Sequence, residues 1–208
     1  MMKMFLRDFF KSVFIVAAIS MVFVACSENE KTVQTQLAPT ETKAPNPFPF
    51  YKSIEIKPGY YFEVVSWGKG VDSVGGFLIL MSDSAKNNYK SIAVERNGII
   101  TDAWNMDLDN DGNPEIYVQS LVRKNVTDVN VYEFGNDFNK ISFPGINTMK
   151  GYQGDDKFFV KNGDLFRSVP IVQSEGGKTS TLVKTLKYRL SGNSFSSSEV
   201  KPGETNSN

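Results

Sequence analysis

The sequence predicts an all-β fold, an antiparallel β-sandwich over residues 50–200, on three observations. Short runs rich in β-branched and aromatic residues recur through that stretch, two Asn-Gly pairs punctuate them, and no segment carries a sustained 3.6-residue apolar period. In chain order, Tyr60 to Trp67 is the first such run. Phe77-Leu78-Ile79-Leu80-Met81 follows Gly75-Gly76 as a short continuous apolar run, as expected of a strand buried on both faces. A single short helix fits around Ser84 to Tyr89. Val94 to Arg96, Asn97-Gly98 and Ile99-Ile100 read as a hairpin, and Ile116 to Val122 and Val129 to Phe134 as two further strands. Phe158-Phe159-Val160-Lys161, Asn162-Gly163 and Leu165-Phe166-Arg167 read as a second hairpin, because Asn-Gly supplies the positive φ of a type I′ turn. Leu182, Leu186, Tyr188 and Leu190 alternate with Lys187 and Arg189, which fits one buried and one wet face. About 150 residues suffice for one domain with a real core.

Ahead of that domain the chain reads as an export signal and a tether. Lys3, Arg7 and Lys11 supply positive charge, and Val13 to Ala25 is apolar except for Ser20. This run is shorter than the roughly 20 residues of a membrane span and fits a signal h-region. It ends Val22-Phe23-Val24-Ala25-Cys26, which resembles a bacterial lipobox with Phe23 where Leu is usual. Residues 1–25 are thus expected to be a lipoprotein signal peptide, with Cys26 lipidated and the mature chain anchored in the outer membrane of the cell envelope, on its periplasmic or surface-exposed face. Several acyl chains give stable anchoring where one is marginal. A plain signal peptide cleaved elsewhere is the alternative. Residues 26–49 are polar, with prolines at 39, 45, 47 and 49, and read as a flexible linker reaching on the order of 25–30 Å. Residues 201–208 read as a disordered tail.

Composition closes several functional classes. The 208 residues contain no histidine and one cysteine. Ser–His and Cys–His nucleophile–base pairs and imidazole zinc sites are therefore absent. Loss of Lys3, Arg7, Lys11 and Asp8 with the signal leaves a net charge of about −2, so no global basic field attracts nucleic acid. Carboxylate-pair chemistry needs only Asp and Glu, and Glu63 and Glu95 lie in strand-like runs, where a wet-face glutamate is ordinary. The expectation is a non-enzymatic protein.

The sharpest local signal is Asp107-Leu108-Asp109-Asn110-Asp111-Gly112-Asn113-Pro114-Glu115. Oxygen ligands at alternate positions converge on one loop, and hard cations such as calcium take six to eight oxygens in this manner. An EF-hand would place Glu at the twelfth position, where Val118 stands; Glu115 lies at the ninth, and the loop looks more like those of FG-GAP-type β repeats. One reading is a structural calcium loop, with the side chains of Asp107, Asp109, Asp111 and Glu115 and the backbone carbonyl of Asn113. The other is a metal-free turn in which Asp side chains bond nearby N–H groups.

An ordered series of short segments resembles the periplasmic inhibitors of invertebrate-type lysozyme. It comprises Ser73-Val74-Gly75-Gly76-Phe77, Arg96-Asn97-Gly98-Ile99, Ala103-Trp104-Asn105-Met106 with the acidic loop, Gly151-Tyr152-Gln153-Gly154-Asp155-Asp156-Lys157-Phe158, Leu165-Phe166-Arg167-Ser168-Val169-Pro170, Gly176-Gly177-Lys178-Thr179 and Lys187-Tyr188-Arg189-Leu190. The resemblance spans about Ile54 to Gly192 and implies an antiparallel β-sandwich whose surface loop plugs a lysozyme active-site cleft. The family's loop carries Ser-Gly and then Tyr; the matching stretch Leu121 to Thr127 has neither, and instead offers Arg123, Lys124 and Asn125. Arg123 and Lys124 would meet the carboxylates of a lysozyme cleft, or else are solvated loop-tip charges.

A second reading is a surface-exposed or periplasmic binding module for another protein or glycan. Ser27-Glu28-Asn29-Glu30 resembles the acidic export signals of bacterial surface lipoproteins, and Asp72-Ser73-Val74 and Asp83-Ser84-Ala85 match a short bacterial O-glycosylation pattern, although such triplets arise often by chance. Tyr60, Tyr61, Phe62, Trp67 and Trp104 are expected in the core or in cross-strand pairs, with a sugar-binding face as the alternative.

Overall fold

The computed structural model describes residues 48–68, 75–123 and 125–201. Along them run β1 (Phe50–Lys57), β2 (Tyr60–Trp67), β3 (Gly76–Asp83), β4 (Asn88–Glu95), β5 (Ile99–Met106), β6 (Glu115–Arg123), β7 (Val126–Phe134), β8 (Phe138–Ile141), β9 (Lys157–Lys161), β10 (Asp164–Glu175), β11 (Lys178–Ser191) and β12 (Ser194–Val200). They form three four-stranded antiparallel sheets, ordered β1-β2-β3-β4, β5-β6-β7-β8 and β12-β11-β10-β9. The all-β, antiparallel class is the one the sequence predicts; the sandwich has three layers, each a meander of sequence neighbours.

The middle sheet is covered on both faces. Alternation along β6 sends Ile116 and Val118 one way and Tyr117 the other, and all three are fully buried. Ile116 and Val118 pack with Phe62, Val64, Phe77 and Ile79 against the first sheet. Tyr117 packs with Val131, Leu165, Val169 and Tyr188 against the third. Trp104 stacks on Tyr117 with ring centroids 5.3 Å apart, and Phe143, Phe158 and Phe195 extend this aromatic cluster.

Several local expectations resolve differently. Asn162-Gly163 does make the two-residue turn, with φ of 51° and 80°, and Lys161 pairs Asp164 across it. Asn97-Gly98 does not close a hairpin: β4 pairs with β3, β5 pairs with β6, and the dipeptide carries the chain from the first sheet to the middle one. Arg96, which is buried, fixes that corner by donating to the carbonyls of Trp67 and Gly98. Gly98, at φ 85°, lies so close to the Leu121 carbonyl oxygen that an added Cβ would sit 2.2 Å from it. The segment from Ser84 is a turn rather than a helix: Asp83 Oδ1 accepts the N–H groups of Ala85 and Lys86, both at 3.1 Å. Such side-chain bonds compete with helix propagation.

Phe77, Ile79 and Met81 are core, whereas Leu78 and Leu80 are half-buried on the outer face, in register with Val65, Ala93, Glu63 and Ser91. In β11 the alternation holds for Leu186, Tyr188 and Leu190, but Leu182 is exposed. Its surroundings explain this. β12 pairs β11 only from Thr185 onward, so among the described residues no strand flanks β11 at Leu182; β9 pairs β10 over Asp164 to Ser168 and Tyr152 bridges Ile171, and past these contacts β10–β11 continues as a two-stranded ribbon.

A buried ion pair ties the third sheet to the middle one. Arg167 Nε donates to Asp156 Oδ2 at 2.8 Å, and its Nη2 donates to the Thr127 carbonyl, also at 2.8 Å. The Arg167 guanidinium lies 4.6 Å from the Phe158 ring centroid, and Tyr152 Oη donates to Asp156 Oδ1. Both charged side chains are essentially inaccessible, at 3 % and 0 %. Removing one partner of such a pair leaves the other charge buried and unopposed. Arg167→Ala is therefore expected to cost about 3–5 kcal/mol in urea unfolding. The double variant with Asp156→Ala should cost less than the two single losses together; strictly additive losses would mean that the two side chains are not coupled.

Candidate functional site

The acidic loop joins β5 to β6, and its own side chains shape it. Asp111 Oδ1 accepts the Asn113 N–H at 2.8 Å and Oδ2 accepts its side-chain amide at 2.9 Å. Asp107 Oδ2 accepts the Gly112 N–H at 3.1 Å, and Asn110 and Gly112 take the positive φ that the tight path demands. These bonds are the turn chemistry of the metal-free reading; they engage both oxygens of Asp111, and they use the N–H groups of Asn113 rather than its backbone carbonyl.

Glu115 stands apart. It opens β6 inside the layered core and has no exposed surface. Its Oε2 accepts the Leu108 N–H at 2.8 Å and the Tyr117 hydroxyl at 3.3 Å, whereas Oε1, like Oδ1 of Asp109, is buried without a hydrogen-bond partner. Carboxylate oxygens of Asp107, Asp109 and Glu115 lie within 4.8 Å of one another, and so do those of Asp109, Asp111 and Glu133. The loop thus brings together Asp107, Asp109, Asp111 and Glu115 as the spacing suggests. Glu133 is an addition: it sits on β7 directly opposite Glu115. Nothing in local spacing signals it, because only the strand register joins the two glutamates, and like charges so placed repel.

Burial pushes the Glu115 carboxyl up to about 7, against the opposing pull of the Leu108 N–H and with help from the Asp109 and Asp107 charges. Burial also raises Glu133, followed by Asp111, Asp109 and Asp107. Between about 4.5 and about 7 the folded protein therefore holds a proton on Glu115 that the unfolded chain has already released. In chelator, this group's contribution to stability is lost as pH rises from about 4.5 through about 7. Urea midpoints measured in EDTA at acidic and neutral pH are expected to fall more steeply in the wild type than in Glu115→Gln; parallel curves would contradict this burial.

The other end of β6 carries the expected partner-binding residues. Arg123 and Asn125 are exposed at the β6–β7 turn, and Lys124 lies outside the described residues. The turn is short, with Asn125 at φ 65° and a register shift between Leu121 and Arg123. It is held down: the Asp155 N–H donates to the Asn125 carbonyl at 2.6 Å, and Arg167 grips the Thr127 carbonyl. Beside it opens a cleft of about 390 Å³ lined by Asn97, Arg123, Asp128, Phe143, Asn147 and Arg167, among others.

Remaining candidates do not converge. Glu63 and Glu95 share the outer face of the first sheet but stand two strands and four residues apart in register. Strand spacings make that about 16 Å, beyond the separations of glycosidase carboxylate pairs. Tyr60 and Phe62 are core, Trp104 is stacked on Tyr117, and only Tyr61 and Trp67 of the five aromatics face outward. Ser84 is exposed in its turn, its hydroxyl donating to the Gly59 carbonyl at 3.1 Å. The signal segment 1–25, Cys26, Ser27 to Glu30, the linker to residue 47, Asp72 to Val74 and the tail 202–208 lie outside the described residues. Among the described residues no helix is long and apolar enough to cross a membrane. Comparison of the chain with protein-family models, curated proteins and solved structures finds no match.

Proposed function

We propose that this chain is a lipid-tethered binding protein of the cell envelope, non-enzymatic, which meets its partner with the corner that carries Arg123 and Asn125. The observation behind this reading is the clamped β6–β7 turn beside a polar cleft. A surface fixed by the Asp155–Asn125 and Arg167–Thr127 bonds loses little ordering entropy when a partner docks. Export and anchoring rest on the sequence of residues 1–26, with attachment at Cys26 and outer-membrane placement as the setting.

The lysozyme-inhibitor reading names the partner: Arg123, with Lys124 beside it, would pair with the catalytic carboxylates of an invertebrate-type lysozyme. A turn this short favours contact at the mouth of the cleft over deep insertion. Where lysozyme is not the partner, the same corner serves a different protein or glycan, which is the second reading. Titration of the mature chain, carrying Cys26→Ser for solubility, against invertebrate-type lysozyme separates the two. Inhibition at micromolar protein, weakened roughly tenfold or more (about 1.4 kcal/mol) by Arg123→Glu, is the result expected of an inhibitor. Unchanged lysis at that concentration would rule lysozyme out as the target. The anchor has its own check: globomycin should leave the unprocessed precursor to accumulate, and normal processing in its presence would overturn lipidation at Cys26.

A further inference from the structure

We propose that Asp107, Asp109 and Glu115 hold one hard divalent cation, calcium, between the acidic loop and the start of β6, with Asp111 and Glu133 flanking it. The case rests on two independent features. The first is convergence: oxygens of the three side chains lie within 4.8 Å of one another, the spacing of ligands around a single ion. The second is the state of Glu115. Its side chain is wholly buried and supplies an oxygen to the cluster; Oε2 is fixed by Leu108 and Tyr117, while Oε1, like Oδ1 of Asp109, is buried without a hydrogen-bond partner. Leaving such an acceptor bare in a low-dielectric interior is costly, and a dication satisfies both free oxygens at once.

The ligand set is narrower at one end and wider at the other than the sequence spacing indicates. Asp111 already accepts two bonds from Asn113 and shapes the loop. Glu133 enters from β7 and shares Asp109 and Asp111 in the second group of close carboxylates. All the ligand atoms are oxygens from carboxylates, the chemistry that selects calcium, magnesium or manganese over softer ions. An irregular loop bearing several acids favours calcium, which tolerates irregular coordination, over magnesium.

The site makes a prediction of opposite signs. Without the ion, and at about pH 8 where Glu115 is ionised, Glu115→Gln removes a buried charge and relieves its repulsion with Asp107, Asp109 and Glu133, so the variant should melt above the wild type in EDTA. With calcium in large excess over its dissociation constant, the wild type should gain roughly 5–10 °C and overtake the variant. The experiment uses the mature chain with calcium chloride in calorimetric titration and with terbium as a luminescent probe. Tyr117, bonded to Glu115 and stacked on Trp104, is placed to sensitise terbium emission. Saturable binding of one ion, lost in Glu115→Gln and in Asp109→Asn and weakened less in Glu133→Gln, is the expected result. Should Glu115→Gln fail to fold, Asp109→Asn carries the test alone. No saturable binding at calcium up to about 5 mM, beyond the weak range of extracellular sites, would overturn the proposal, as would wild-type affinity in Asp109→Asn.

Discussion

The burial of the middle sheet on both of its faces is the constraint on which the rest of the structure depends. In a two-layer sandwich each strand needs one apolar face; here β6 must be apolar on both, and Ile116, Tyr117 and Val118 are accordingly inaccessible. The hydrophobic term scales with the area removed from water, so a strand that loses solvent on both faces contributes about twice what a wet-faced one does. The same constraint makes the ends of β6 chemically distinctive. A polar group there is either satisfied by its neighbours or pays for desolvation, and Glu115 meets this demand on only one of its two oxygens.

The two ends of β6 differ in their chemistry. At Glu115 the acidic loop closes the first part of the middle sheet. At Arg123, eight residues on and about 27 Å away by strand rise, the turn faces the polar cleft. Between them Ile116, Tyr117 and Val118 are fully buried, so the loop and the corner are joined through packed core. The buried Arg167–Asp156 pair ties that corner to the third sheet, since Arg167 also bonds the Thr127 carbonyl at the start of β7. Ion pairs of this kind add little net stability but fix geometry when every lone pair and proton has a partner.

Much of this was legible in the sequence, and the failures have physical causes. Strand positions follow from short apolar runs, and the Asn162-Gly163 turn from its need for positive φ. The same dipeptide at Asn97-Gly98 is a crossing between sheets, because a dipeptide specifies local φ and not which strands it joins. The third layer was hidden for a related reason: alternation states that a face is buried but not what buries it. Leu182 alternates as a core residue and yet is exposed on β11 beyond the reach of β12, since strand lengths decide lateral cover. At the site, Asp107, Asp109, Asp111 and Glu115 were readable from spacing within one loop. Glu133, eighteen positions further along, was not, because a cross-strand pair is set by register alone.

Native-state hydrogen exchange on the mature chain tests the two-faced middle sheet most directly, because amides there open only when both covering layers let go. The slowest exchange is expected at Ile116 to Ser120 of β6 and Val129 to Tyr132 of β7, with β1, β12 and the β10–β11 ribbon exchanging much earlier. Exchange in β6 as fast as in β1 or β12 would contradict the account, for it would mean that the middle sheet is not the element that the other two bury.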